Sequence, residues 1–512
     1  MNMFVDAKKI FSLLPALLFV LLASPAFAQD DVRDLVVKIH TTRRDPDLGR
    51  PWTKQNPVNV SGSGIVIQGK RILTNAHVVQ NASQIYVQPN QSAEKLAARV
   101  ITIAEPIDLA ILSVEDESFF DKRAFLPFAD DLPKVKDAVS VYGFPTGGTE
   151  LSVTEGIVSR IEFTNFYQFV MGLRIQVDAA LNPGNSGGPV VSRGKLVGLV
   201  FSNIPNAQSI GYVIPIEEVR LFLDDVADGV YDGKPQMHDF FQTVENNALR
   251  QRLDLAKGTG GLMVTQPYSS DANYPLKEWD VITSIGGQPL DSDGKVSVRY
   301  DLRLSALYLV QKYAKDGLLD MTVQRNGQPV RIALPVQRQR ELVAPYLRNR
   351  NPRYFIYGPL VFCSATQEYI DKLGNQWELY HARQGNPLII RRYDKPAFSG
   401  EELVIVCSPL FPHPITKGYD DPNGFVIREV DGIPVKNLKH FVEILRDGKG
   451  PQVNFKFAKM ANRAQENLVF DRRAMLAATE DILKDFGIRY PYSDDLRPVW
   501  EIVQSGEKTR LP

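Results

Sequence analysis

The sequence predicts a mainly β chain of several domains, with a first half of short strands forming barrels or a sandwich and a second half of two related small domains. Three observations carry that expectation. At 512 residues the chain exceeds what one hydrophobic core supports, since domains usually run to roughly 100–200 residues. Runs rich in Val and Ile recur along the first half with turn residues between them, a spacing that favours barrels over alternating strand and helix. A short strand–turn segment then occurs twice in the second half.

In chain order, the first element is a leader. Lys8 and Lys9 precede an apolar run from Ile10 to Leu22, and Ala26-Phe27-Ala28 follows before Gln29. This charged, apolar and small-residue order marks a secretory signal peptide over residues 1–28, and the run is short for a membrane span. An uncleaved anchor is the alternative. No later stretch is apolar over the thickness of a bilayer, so the mature chain is expected to be soluble and outside the cytoplasm. Lys plus Arg (59) balance Asp plus Glu (59), so no overall field draws the chain to nucleic acid or anionic membrane. With only Cys363 and Cys407, neither a disulfide framework nor a structural zinc cluster can be built.

Strands are expected at Leu35–Ile39, Gly64–Ile67, Leu96–Ile103, Ala138–Tyr142, Gly156–Ile161, Leu173–Val177 and Leu196–Phe201. Turn signals such as Gly69-Lys70, Thr146-Gly147-Gly148 and Arg193-Gly194 separate them. Pro215 opens the first clear helix, Ile216–Asp225, and the polar stretch Asp228–Lys234 reads as a linker. Further on, Val281–Leu290 resembles Val426–Val435: β-branched residues meet a glycine turn, with proline two residues later. Hairpin signals follow at Asn326-Gly327 and Gly448–Gly450. The basic stretch Arg338–Arg350 lies between the copies without a row of stacking aromatics, which favours a solvated linker over a nucleic-acid patch.

Chemistry gathers in three places. In Asn182-Pro183-Gly184-Asn185-Ser186-Gly187-Gly188-Pro189 a serine sits between glycines, so its hydroxyl is accessible and backbone can approach a bound carbonyl. The N–H groups of Gly184, Asn185 and Ser186 could converge on the oxyanion formed when Ser186 attacks. Taken alone, Gly-Xaa-Ser-Xaa-Gly is also the nucleophile elbow of α/β-hydrolases, or a plain polar turn. In Leu73–Val79, His77 closes a β-run at the start of one helical turn; a lone histidine is more often structural. In Pro106–Leu112, Asp108 precedes a continuous apolar strand, where it would be half buried and in need of a partner, or a simple strand-start cap.

Together the three outweigh their separate readings. A nucleophilic serine needs a base, and the base needs an acid to fix its tautomer and stabilise the imidazolium. The chain order is His77, Asp108, Ser186. An α/β-hydrolase would place the serine first and would alternate strands with helices. Order and all-β context instead match the chymotrypsin-like double β-barrel, with histidine and acid from one barrel and serine from the other.

Thr74–Val79, Asp108–Leu112 and Gly184–Pro189, followed by the repeated small domain, resemble the Deg/HtrA family of serine proteases. The likeness covers essentially the whole mature chain. Ser152–Glu162, Gln176–Pro189 and Ala474–Leu496 resemble its plant-type branch, in which a second, divergent PDZ domain follows the first. The resemblance implies a trypsin-like protease domain at 29–230, PDZ domain 1 at 236–338, a divergent PDZ domain 2 at 352–470 and a C-terminal helix and tail at 471–512. It further implies ATP-independent cleavage of unfolded or damaged proteins in the periplasm, homotrimers or multiples of them, and no metal or cofactor. A chaperone or peptide-binding protein with an inactive protease domain is the alternative, and a narrow-specificity processing protease a third.

Several positions depart from the family pattern. Family PDZ domains seize a peptide C-terminus with a short glycine-containing loop; the corresponding Met237–Gln242 has no glycine, though Phe240 and Phe241 could line a pocket. Trp279 stands where many members have glycine, and an insertion at Ser364–Gly400 is expected to serve packing or assembly. Family members can also hold a collapsed oxyanion loop until activated. By the same resemblance the specificity pocket has Ala180 at its base and Ile210, Gly211 and Tyr212 along one wall, with Asp178 outside it; small aliphatic residues, Val first, are expected before the scissile bond. Cys363 and Cys407 lie in similar apolar runs, but strand pairing seldom gives disulfide geometry, so two buried thiols are favoured over a bridge.

Overall fold

Val- and Ile-rich strands with one apolar face bury that face most completely by closing on themselves, which also removes unpaired edges. The first half of the chain does this twice. In the computed structural model, which describes residues 32–121, 123–167, 169–203, 211–461 and 467–501, β1 (Val36–Arg43), β2 (Val58–Ile67), β3 (Arg71–Thr74), β4 (Ala82–Pro89), β5 (Leu96–Ala104) and β6 (Leu109–Val114) close in the order β1-β2-β3-β6-β5-β4. A second barrel joins β7 (Ala138–Gly143), β8 (Ser152–Tyr167), β9 (Val170–Val177), β10 (Pro189–Ser192), β11 (Lys195–Asn203) and β12 (Gly211–Pro215) in the order β10-β11-β12-β9-β8-β7. Val37, Ile39, Ile65 and Ile72 in the first barrel, and Leu173, Val177 and Leu199 in the second, have no solvent exposure. The predicted signal peptide and Ile210 lie outside the described residues. Among the described residues no helix is long and apolar enough to cross a membrane.

A single helical turn, α1 (Ala76–Val79), follows β3, and α2 (Ile216–Asp225) begins after its N-cap Pro215, as the sequence predicts. Glu218 on α2 is buried, accepts the Leu173 N–H (2.7 Å) and meets Lys234 Nζ (2.8 Å). Lys234 also donates to Gln311 (2.8 Å), on the helix Tyr308–Tyr313 of the next domain. The end of the expected linker Asp228–Lys234 is therefore a buried junction, not a solvated tether. A paired, fully hydrogen-bonded charge is the form in which burial is tolerated.

The two repeat segments form equivalent hairpins. Val281–Ile285 turns through Gly286 (φ 55°) and Gly287 (φ 78°), and Ile427–Val430 turns through Asp431 (φ 52°) and Gly432 (φ 81°). Positive φ at both central residues is the type I′ geometry that suits strand twist. Each first strand pairs with a later one, Leu318–Arg325 and Gln452–Phe457 respectively. Asn326-Gly327 makes the expected hairpin between Leu318–Arg325 and Gln328–Pro335. Gly448–Gly450 does not; it links the helix Leu438–Asp447 to the strand Gln452–Phe457, because that helix consumes the residues a hairpin partner would need. Trp279 holds φ 72°, in the left-handed region that favours glycine, with its ring half exposed.

The insertion forms the helices Gln367–Leu373, Asn375–Arg383 and Pro387–Ile390, tied by buried Arg392, which donates to Gln367 (2.8 Å), Asp371 (2.7 Å) and Glu378 (3.0 Å). On the C-terminal helix Arg472–Asp485, Met475 joins the core formed by Phe362, Phe441 and Phe455. Trp52 and Leu48, from the loop between β1 and β2, pack against this last unit, with Trp52 5.8 Å from the Phe411 ring.

Cys363 and Cys407 form a disulfide with a Cα–Cα distance of 5.9 Å, overturning the expectation of two thiols. The reason is register. Leu360–Ser364 pairs antiparallel with Val404–Val406 so that Cys363 faces Ile405, and the Cys407 N–H continues the ladder to Val361 O (2.9 Å). Cys407 is thus the diagonal neighbour of Cys363 on one face, drawn within bridging distance. Closing a sequence separation of 44, the bridge is expected to contribute about 3–4 kcal/mol. Replacing both cysteines by serine should lower the unfolding free energy of this domain by that amount, and titration of the unreduced, denatured chain should find no free thiol.

Candidate active site

Three loops meet where the barrels face each other. After β3, Thr74 Oγ1 donates to Ser63 O (2.7 Å) and the fully buried Asn75 donates from Nδ2 to Asp108 O (3.0 Å). These bonds anchor the segment that opens α1 and presents His77. On the facing side, the 3-10 turn Glu105–Ile107 ends in Asp108, whose φ of 55° is left-handed. Aspartate tolerates that region better than most residues, and such conformations cluster at functional sites. The turn aims the buried carboxylate at His77 twice: Oδ1 accepts the His77 backbone N–H (2.9 Å) and Oδ2 lies 2.8 Å from Nδ1. A proton held on Nδ1 leaves Nε2 as the basic nitrogen. Burial works against the His77 cation, but the Asp108 hydrogen bond and charge outweigh it, so the pKa is raised above the ordinary imidazole value.

Ser186 lies on the loop between β9 and β10, whose carbonyls are individually tied. Pro183 O accepts from Thr146 N (2.7 Å), Asn185 O from Gly188 N (2.9 Å) and Ser186 O from Ser63 N (2.9 Å). Gly184 O accepts from Ser63 Oγ (2.8 Å). In a trans peptide the N–H points opposite to the C=O, so fixing the Pro183 and Asn185 carbonyls turns the Gly184 and Ser186 N–H groups the other way. Among the described residues neither of those two donates to a backbone carbonyl. Of the three N–H groups expected to converge, that of Asn185 does not take part, because it donates to Asn182 O (3.0 Å). Gly184 has φ 99°, and a Cβ there would collide with the Phe144 carbonyl, so glycine alone fits.

His77 and Ser186 share a cavity of about 390 Å³ with Leu181, Val200 and Phe201, and among the described residues none that lines it is acidic. The expected specificity residues are placed differently. Ala180 is exposed, its carbonyl taking the Thr154 hydroxyl (3.1 Å), and the Tyr212 hydroxyl accepts from Arg160 (3.1 Å). Gly211 pairs with Val177 and lies against the Leu181 side chain; among the described residues lining the cavity Leu181 is present, and Ala180, Gly211 and Tyr212 are not. Asp178 points away, accepting the Ile157 N–H (2.6 Å). Behind Phe201 the buried Arg174 guanidinium stacks 5.0 Å from its ring centroid.

The double barrel with a serine–histidine–carboxylate cluster at its junction defines a trypsin-like serine peptidase, and the family description "Trypsin-like peptidase domain" matches residues 62–199. A second, "PDZ domain", matches residues 343–495. Protease Do-like 2, chloroplastic, of Arabidopsis thaliana is 34% identical over 470 residues, covering 90% of this chain and 75% of that protein. Protease Do-like 4, mitochondrial, of the same plant is 33% identical over 415 residues, covering 80% and 76%. The solved HtrA-type protease AlgW with tripeptide aligns at 24% identity and a TM-score of 0.48, covering 60% of this chain and 95% of that one. The chain belongs to the Deg/HtrA family of serine proteases and is a serine endopeptidase.

Proposed function

We propose that the chain is an ATP-independent endopeptidase of protein quality control, exported by a signal peptide cleaved after Ala28, acting on unfolded or damaged proteins in the periplasm or another extracytoplasmic space. Its working assembly is a homotrimer or a multiple of one. The proposed units are the protease domain at 29–230, the PDZ domains at 236–338 and 352–470, and the tail at 471–512. Ser186 is the nucleophile, His77 the base and Asp108 the acid. The observation that carries this reading is the double contact of Asp108 with His77 beside Ser186 in one cavity.

In the acylation step Ser186 Oγ bonds to the scissile carbonyl carbon while His77 Nε2 takes its proton. The oxyanion is held by the Gly184 and Ser186 N–H groups. His77 returns the proton to the leaving amine as the C–N bond breaks, and water repeats the sequence on the acyl-enzyme. Only neutral His77 can act as base, so with its pKa raised by Asp108 the acid limb of the kcat/KM–pH profile should fall above the ordinary imidazole value of about 6.5. Activity is full above that limb and is lost as pH drops through it.

The cavity also supports a preference for small or medium aliphatic residues, Val first, before the scissile bond. Burying such a side chain against Leu181, Val200 and Phe201 gains roughly 1–3 kcal/mol. Among the described lining residues a lysine or arginine would find no carboxylate to pair with. Digesting casein with the mature chain tests both parts, since an inactive chaperone would cut nothing. Peptide mapping should place the cuts after Val, Ile and Ala, and an excess after Lys or Arg would refute this pocket.

A further inference from the structure

Resting on that assignment of Ser186, we propose that Ser63, on β2 of the first barrel, is a positioning residue for the oxyanion site on the second. Ser63 has no solvent exposure, and each of its polar groups is committed. Its hydroxyl donates to Gly184 O (2.8 Å) and accepts from Phe144 N (2.8 Å). Its N–H donates to Ser186 O (2.9 Å), and its carbonyl accepts from Thr74 Oγ1 (2.7 Å). One residue thus ties together the nucleophile loop, the segment leaving β7, and the strand end that leads into His77.

The hydroxyl is the part with a distinct role. The Gly184–Asn185 peptide unit is gripped at its carbonyl by Ser63 and at its N–H by Asn182 O (3.0 Å), which sets the backbone between the N–H groups of Gly184 and Ser186. Phe144, held by the same hydroxyl, starts the segment whose Thr146 N–H fixes the Pro183 carbonyl (2.7 Å). Removing one oxygen would leave the buried Gly184 C=O and Phe144 N–H both unpaired. Buried groups in that state seek new partners, and a rotated Gly184–Asn185 unit would turn the N–H of Gly184 or Ser186 off the oxyanion. The removed hydroxyl bonds to none of His77, Asp108 and Ser186, and the Ser63 N–H keeps its bond to Ser186 O, so the contacts of the triad itself would remain.

The test is Ser63→Ala in the full mature chain, with Ser63→Thr, which keeps the hydroxyl, and Ser186→Ala alongside. Ser63→Ala should lower kcat on a fluorogenic casein at least tenfold with KM within twofold, slow fluorophosphonate labelling in parallel, and leave the acid limb of the pH profile in place. Ser63→Thr should recover most of kcat. If Ser63→Ala does not fold, Ser63→Cys, of similar size but with a weak donor, takes its place with the same expectations. A kcat within twofold of wild type, a shifted acid limb, or a Ser63→Thr variant as slow as Ser63→Ala at equal thermal stability would overturn the proposal. An active Ser186→Ala would instead overturn the assignment beneath it.

Discussion

Ser186→Ala is expected to abolish casein hydrolysis, a fall of about a million-fold in kcat, because removal of the nucleophile leaves His77 with no proton to take. Stability should change by no more than about 0.5 kcal/mol. What the loop contributes to folding at this position is backbone: Ser186 O accepts from Ser63 N, and that bond survives the substitution. His77→Ala should be nearly as inactive, since losses within a triad are not additive. Thermal melting of the variant at the wild-type midpoint, with no turnover and no fluorophosphonate adduct, is the expected pair of results. Turnover by the purified variant, or labelling of a different serine, would remove Ser186 from the mechanism.

The parts of this molecule that could be read from sequence are those whose cause is local. Pro215 presets the backbone that opens α2, and the pairs Gly286-Gly287 and Asn326-Gly327 adopt the positive φ values their turns demand. The glycines around Ser186 are legible for the same reason: Gly184 must be left-handed and must pass close to Phe144. Strands with a strongly apolar face, such as β9, declare themselves, whereas β4 alternates half-polar residues and β10 is four residues long. What stayed hidden depends on contacts between distant segments. Ser63 lies 121 residues from Gly184, and nothing in Ser61-Gly62-Ser63-Gly64 beyond its glycines hints at that bond. Leu181 lies against Gly211 and lines the cavity beside Ser186, and the Cys363–Cys407 bridge follows from a diagonal register. Spacing along the chain carries neither fact.

Asp108→Asn should fold normally and lose about ten-thousand-fold in kcat, and the geometry says why. Asparagine tolerates the left-handed φ that Asp108 adopts, and the Asn75 bond to the Asp108 carbonyl does not involve the changed group. The carboxylate, however, has two acceptors in use, Oδ1 for the His77 backbone N–H and Oδ2 for Nδ1. An amide has one. The backbone N–H cannot become an acceptor, so the amide oxygen must stay with it, and the amide NH2 is left facing Nδ1. Two donors cannot share that contact; Nδ1 must give up its proton and the ring must carry it on Nε2. That nitrogen then presents a hydrogen to Ser186 where a lone pair is needed. The opposite amide orientation would set its NH2 against the buried His77 N–H, costing about 1–3 kcal/mol. A second readout separates this from general damage. The Asp108 charge raises the His77 pKa, so without it the acid limb should move to lower pH as the plateau falls. A variant retaining a tenth of wild-type kcat, or an acid limb that stays in place, would show that Asp108 does not set the tautomer of His77.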